Sequence, residues 1–333
     1  MSFSGVFAGL LSGMNVSSAS RWLHRFAWLT ATLTLLLPVT TGAVVTTLKA
    51  GMAFSDWPSS DGYNMLAYPW LSSARDQFIE HGHRLSGLTI GLLSIALAIA
   101  TWVIETRRPA RLLALAIFGS VFVQGMLGGV RVLMDEQSMA LIHGDFAAGV
   151  FSLMCVFVVV TGSGWETRRP VVDAVAGRLA RSIAIAVLVA VAIQYFLGGV
   201  LRHLGQSWAW MAHPWFALVP LGLAPLFAIA ARRSGSPLLI RGANSLLVLI
   251  VCQALLGLAS WYVKFGVPSW GVVAQLNSAP QVIVCSLHKV VGMLTLMTSV
   301  VNLFCANSVQ VPWMHGVTAR GRELEGSMMG VAT

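Results

Sequence analysis

The chain has 333 residues, of which 56% are hydrophobic and only 10% charged, with 21 Lys or Arg against 12 Asp or Glu and a net charge of +9. An ordinary soluble domain carries roughly 25% charged residues, so a water-facing surface cannot be assembled from this composition. The 32 Gly without a period and the 4 Cys also exclude collagen-like and disulfide-scaffold chains. What remains is a polytopic membrane protein, in which excess positive charge labels loops rather than nucleic acid. Its apolar runs are too long and uninterrupted for strands and lack the alternation of a barrel, so an all-α membrane protein is expected.

A membrane-spanning helix needs about 20 mostly apolar residues. In chain order, such stretches are predicted at Arg25–Thr47, His83–Glu105, Leu112–Met134, Met139–Gly162, Ser182–Arg202, Ala209–Ala231, Asn244–Val263 and Ala279–Ala306. Pro38, Pro214, Pro220 and Pro225 fall inside spans, where neighbouring helices re-satisfy freed carbonyls. Met1–Ser20 carries no Arg and no A-x-A cleavage site, so no signal or transit peptide is expected there. Cys155, Cys252, Cys285 and Cys305 lie within spans and are read as small buried hydrophobes.

The basic residues sort by side. With a cytoplasmic N-terminus, the inner segments hold Arg21, Arg25, Arg107, Arg108, Arg111, Arg168, Arg169, Arg178, Arg181, Arg232, Arg233, Arg241, Arg320 and Arg322, which is 14 of 21. Lys49, Arg75, Arg84, Arg131, Arg202, Lys264 and Lys289 fall on the outer side. This positive-inside pattern predicts both termini in the cytoplasm.

A repeat runs through the spans. Gln124 to Arg131, with Gly128 and Gly129, recurs as Gln194 to Arg202, with Gly198 and Gly199, and again in Gln253 to Gly257. Gln124 and Gln253 are 129 positions apart, and His83 and His213 are 130 apart. His143 and His288 are 145 apart, the excess matching the long loop Phe265–Ser278. The expectation is two pseudo-symmetric four-helix bundles, residues 1–175 and 176–333.

His83, His143, His213 and His288 stand one per even-numbered span, each in its outer half. Neutral imidazoles on facing helices suit axial ligation of a haem iron; the competing reading is interhelical hydrogen bonding. Zinc fits less well, because no Cys or carboxylate cluster accompanies them. His81 and His203 are read as loop-facing, and His24 and His315 as solvated at the cytoplasmic ends. Glu80 and Asp145 are the acids in the membrane zone, where ionisable groups are costly. Glu80 precedes His83 by three and shares its helix face if the helix starts early enough. It is read either as a proton acceptor beside the ligand or as an N-terminal carboxylate favoured by the macrodipole. Asp145 points away from His143, and a structural hydrogen bond is expected of it. The outer cations are open to simple snorkelling or, for Arg84, Arg131 and Arg202, to pairing with haem propionates.

These segments resemble the haem A synthase family: Gly42 to Val45, Lys49 to Pro58 with Asp56-Trp57-Pro58, Glu80 to Arg84, Gln124 to Arg131, His143, Gly198 to His203, His213 and His288. The resemblance covers about residues 25–305. It implies oxidation of a ring methyl of haem O to a formyl group through successive hydroxylations. It further implies His83 and His143 around the substrate haem, Glu80 catalytic, and His213 and His288 on a permanent haem b that relays electrons. Haem O synthase and cytochrome oxidase assembly factors are the implied partners, and the bacterial inner membrane the implied location, with lipid but no nucleic acid bound. Two departures stand out. His213 is followed by Pro214 where the family commonly has Arg, which puts ligation there in question, and the loop Gly51–Ile79 lacks the Cys pair of many bacterial members. A di-haem b-type cytochrome for quinol-linked electron transfer fits the four histidines equally, and a transporter built on bundle repeats is a third possibility.

Overall fold

The computed structural model describes residues 16–162, 165 and 174–308, and these are helical apart from their connections. Eight helices are long and apolar enough to cross a membrane: α1 (Ser17–Thr47), α2 (Arg75–Ile104), α3 (Arg108–Met134), α4 (Gln137–Thr161), α5 (Val175–His203), α6 (Ala209–Arg233), α7 (Pro237–Phe265) and α8 (Ala279–Ser308). Each coincides with an expected span. The basic residues Arg168, Arg169, Arg320 and Arg322, and His315, lie outside the described residues.

Several helices start earlier than the apolar runs that announce them. α2 begins at Arg75, so His83 sits in its third turn instead of opening it. Apolarity locates the lipid-facing part of a helix, but a polar stretch such as Arg75 to Gly82 is equally able to make backbone hydrogen bonds. Asp76 in its first turn also complements the helix dipole. α7 starts at Pro237, seven residues before the expected Asn244. Ser236 caps it, accepting from the Leu239 N–H at 3.4 Å, and proline is preorganised for the first turn.

Two prolines shape the spans. Around Pro38, α1 widens into one π turn over Leu35–Val39. Thr40 and Thr41 hydroxyls donate to the carbonyls of Leu35 and Leu37 at 2.8 and 2.7 Å, adding to the backbone bonds of this widened turn. Pro214 lies inside the first segment of α6, Ala209–Phe216, which passes through Ala217 into Leu218–Arg233.

Packing separates into two apolar cores. One joins α1 to α4 through Leu23, Ala27, Ile90, Leu97, Ile117 and Phe157. The other joins α5 to α8 through Val187, Ala224, Phe227, Leu246 and Ile250. A smaller cluster of Val39, Ala148, Phe151 and Met293 connects α1 and α4 to α8. Alanines are frequent in these contacts, as expected where helices associate by close packing instead of by escape from water. Leu92, Phe122, Val248 and Leu258 project outward, where lipid tails solvate them. The four cysteines are free; Cys305 is buried as expected, but Cys252 is exposed on α7 and belongs to the outward face.

Phe157 and Phe227 are fully buried, one in each core. Truncating either to Ala is expected to cost about 3–5 kcal/mol and to lower the thermal unfolding midpoint in detergent. Leu258→Ala, on the outward face, should leave that midpoint nearly unchanged.

Candidate functional site

The four histidines form two pairs. His83 of α2 faces His143 of α4 with ring centroids 6.3 Å apart and planes at 85°. His213 of α6 faces His288 of α8 at 6.2 Å and 86°. All four rings remain partly accessible although helices surround them.

Each ring is held against a glycine of a neighbouring odd-numbered helix. A Cβ built on Gly42, Gly128, Gly198 or Gly257 would lie 2.9, 3.1, 3.0 or 3.3 Å from Cε1 of His83, His143, His213 or His288, respectively. No side chain larger than hydrogen fits there without moving the ring. The backbone carbonyl four residues before each glycine, from Pro38, Gln124, Gln194 or Gln253, faces the same ring. Side chains complete the hold. Thr41 Oγ1 lies 3.0 Å from His83 Nδ1. Gln124 donates to the His143 carbonyl at 3.0 Å and Gln194 to the His213 carbonyl at 2.9 Å. Gln124 Nε2 is also 3.2 and 3.3 Å from the two ring nitrogens of His143, so its amide lies against the ring and bonds neither nitrogen alone. An Nδ1 anchored by protein leaves Nε2 for a metal.

The spacing of each pair is a test of what it holds. Two imidazoles on opposite sides of one metal, at about 2.0 Å per nitrogen and about 1.1 Å from nitrogen to ring centre, have centroids roughly 6.2 Å apart. Both pairs meet that value. Among the described residues no group of three or more His, Cys, Asp or Glu converges as a metal site. Paired histidines therefore suit an iron whose other four positions come from a macrocycle. The residues fit a haem at each pair.

Around His83 the surroundings are polar and tightly joined. Glu80 Oε1 accepts from the Arg84 guanidinium at 2.8 Å, and Oε2 accepts from the Ala53 N–H at 2.7 Å. Arg84 also donates to the carbonyls of Asp56 and Ser59 at 3.0 and 2.8 Å. This carboxylate and its arginine thus fasten the loop 48–74 over the end of α2. Arg131 of α3 donates to the Gly51 carbonyl at 3.0 Å, and the Trp57 ring packs on Gly129, beside the glycine that faces His143. Within the loop, Asp56 accepts from the N–H groups of Asp61 and Gly62 at 2.9 Å each. Partial burial pushes its carboxyl upward, but these hydrogen bonds outweigh it and hold Asp56 below the usual carboxylate range. His81 faces the same loop as expected, buried beneath Tyr68 with Nδ1 3.2 Å from Ser60 Oγ.

The His213 pair has different neighbours. Trp210 and Pro214 stand where Glu80 and Arg84 stand relative to His83. Trp210 meets Phe265 edge-on at 5.0 Å and lies under the Lys264 ammonium at 5.0 Å. Pro214 leaves His213 on Gly198 as His143 lies on Gly128, so the ring position survives the substitution.

Between the pairs lies a seam of polar side chains. Arg202 of α5 donates to the Ala43 carbonyl at 2.9 Å and to Thr47 Oγ1 at 2.6 Å, both on α1. Thr47 Oγ1 is also 3.1 Å from Ser286 Oγ on α8. Asp145 packs on Gly199 of α5, and the hydrogen bond expected of it is absent among the described residues. His203, expected to face a loop, instead points at Gly144. His24 lies 3.3 Å from Thr161 Oγ1. The sequence did not announce this seam; its one signal was Gly199, the second glycine of the Gly198-Gly199 pair, which faces Leu141 and Asp145.

The family model described as cytochrome oxidase assembly protein (COX15-CtaA) matches residues 70–217, which include His83, His143 and His213. A protein of Symbiobacterium thermophilum named Heme A synthase is 31% identical over 226 residues, 64% of this chain and 71% of that one. The chain belongs to the haem A synthase family. Other members named Heme A synthase are more distant: one from an Exiguobacterium species is 25% identical over 55% of this chain and 59% of its own length. One from Brucella ovis is 27% identical over 40% of this chain and 39% of its own.

For a haem A synthase family member, the glycine contacts are testable apart from any activity. Gly128→Ala and Gly198→Ala should each cost about 1–3 kcal/mol of fit and lower haem retention at the adjacent pair by roughly tenfold or more. Gly87→Ala, whose Cβ meets open space, should retain haem like the parent. Haem content and the reduced-minus-oxidised spectrum of purified protein read the difference.

Proposed function

We propose that this protein is a haem A synthase of the bacterial cell membrane, oxidising a ring methyl of haem O to a formyl group through successive hydroxylations. The observation that carries the reading is the pair of histidine sites with equal ligand spacing and unequal surroundings. His83 and His143 bind the substrate haem between α2 and α4. Glu80, on the His83 face of α2, accepts the proton released as the methyl is oxidised, and Arg84 orients its carboxylate. Arg131, with one of its five donors used on Gly51, is the best placed of Arg84, Arg131 and Arg202 for a propionate. His213 and His288 hold haem b, which supplies one-electron transfer when bound. Trp210, Phe265 and Pro214 place no carboxylate by that pair, consistent with a group that stays unmodified.

We further infer two pseudo-symmetric halves, residues 1–175 and 176–333, with both termini cytoplasmic. The basic residues support that orientation, and it puts the loop 48–74 and both pairs towards the outer leaflet. Haem O synthase and cytochrome oxidase assembly factors are the partners this role calls for.

Membranes containing the protein, incubated with haem O, should form the formyl product, identified by extraction and mass. Absence of product from haem-loaded, active-site-intact protein would sink the reading. Glu80→Gln should lower product formation about 100-fold or more while leaving the haem b spectrum intact. Loss of that spectrum as well would make Glu80 structural. The second reading, a di-haem b-type cytochrome for quinol oxidation, is favoured by the near-identity of 6.3 and 6.2 Å. It requires both haems to stay bound in equal amount through turnover, whereas the synthase should purify with one tight haem and a variable second.

A further inference from the structure

Lys289 follows His288 directly, yet the two side chains serve different places. His288 faces His213, while Lys289 leaves α8 on the side of α4. A Cβ built on Gly144, the residue after His143, would lie 3.5 Å from the Lys289 Nζ and 3.5 Å from His203 Nε2. The ammonium acts electrostatically on His83, His143 and His203. The electrostatic partners of His288 itself are His213 and Arg202. A cation carried by the second half of the chain is thus presented to the site of the first half.

The repeat sharpens this. The offset that relates His143 to His288 pairs Lys289 with Gly144. One half supplies the long cation, and the other supplies, at the matching position, the residue that gives it passage. The arrangement runs one way only, so the His83 site receives a cation that the His213 site does not.

Lys289 makes no directed bond, although the Asp145 carboxylate acts on it through space. Arg84 is bonded to Glu80 and two carbonyls, Arg131 to Gly51, and Arg202 to Ala43 and Thr47. Among the described residues Lys289 has no hydrogen bond and no ion pair within 4.0 Å, and the ion pairs there are Glu80–Arg84 and Glu105–Arg107. The nearest carboxylate on the seam, Asp145, is packed on Gly199. On α8 the neighbouring residues Val290 and Met293 belong to the apolar cluster with Val39, Ala148 and Phe151. An ammonium so placed is costly unless an anion meets it.

Resting on the haem reading of the His83–His143 pair, we propose that Lys289 binds a propionate carboxylate of the porphyrin held there, making it a substrate-binding residue contributed across the seam. The test uses the purified full-length protein, titrated with iron protoporphyrin IX and with its dimethyl ester and followed by absorbance. The signal that disappears in His83→Ala is assigned to this pair. The parent should prefer the free acid to the diester. Lys289→Met should weaken binding of the free acid about tenfold and bind the diester as the parent does, whereas Lys289→Arg should restore most of the preference. Asp145→Asn should leave the preference unchanged. Retention of the His213–His288 haem spectrum certifies that each variant is folded.

An unchanged preference in Lys289→Met would overturn the proposal, and so would an equal loss in Asp145→Asn, which would assign the ammonium to Asp145. Failure of the parent to bind either porphyrin in a His83-dependent way would instead remove the functional reading beneath it, so the two failures are distinguishable.

Discussion

The contact on which this molecule turns is between an imidazole edge and a glycine Cα. It occurs four times, at Gly42, Gly128, Gly198 and Gly257, and each time it fixes how closely an even-numbered helix approaches an odd-numbered one. Helix packing and ligand placement are therefore a single contact. A metal–nitrogen bond tolerates an error of about 0.2 Å, whereas a methyl group at any of these glycines would displace the ring by more. The histidines would provide the ligand atoms of the proposed haem sites, and the glycines back the rings that stand 6.2 to 6.3 Å apart. In a bilayer this is an economical solution, because small residues are also what lets helices associate without a hydrophobic driving force.

Much of this was legible in sequence, and what was not has a physical cause. The eight spans show because lipid demands long apolar runs. The four histidines and their glycines show because a repeat preserves spacing. Helix starts do not show in the same signal: Arg75 to Gly82 is helical but polar, so hydropathy alone places the start of α2 at His83. The engagement of Arg84, Arg131 and Arg202 was hidden because most of their acceptors are backbone carbonyls, which every residue carries and no motif announces. The direction of Lys289 was hidden for another reason. One residue along a helix is about 100° of rotation, and only the packing of α8 decides which neighbour that rotation meets. Pro214 was expected to disturb its neighbour. It does not, because α6 keeps the turn containing His213 in register with Gly198 despite the missing N–H.

The two sites are alike in what grips the rings and unlike in everything around them. Glu80 and Arg84 close the first under a loop, while Trp210 and Pro214 leave the second with aromatic and apolar neighbours. On the proposed reading, the first set of surroundings suits acting on a haem and the second suits only holding one. That division could not be read from the histidines alone, since all four satisfy the same geometric test.

The halves are nonetheless not independent. Arg202, from α5, is bonded to the Ala43 carbonyl and the Thr47 hydroxyl of α1. That helix carries Gly42 and Thr41, the two contacts that hold His83. The end of α1 is thus clamped between a histidine of its own half and an arginine of the other. Parting the halves would strand the guanidinium and two acceptors in a low-dielectric interior, where each unpaired group costs several kcal/mol. The same cost that makes charge rare within these spans makes the few charged groups at the seam effective as fasteners. It follows that the geometry of the first site is set in part by the second half of the chain.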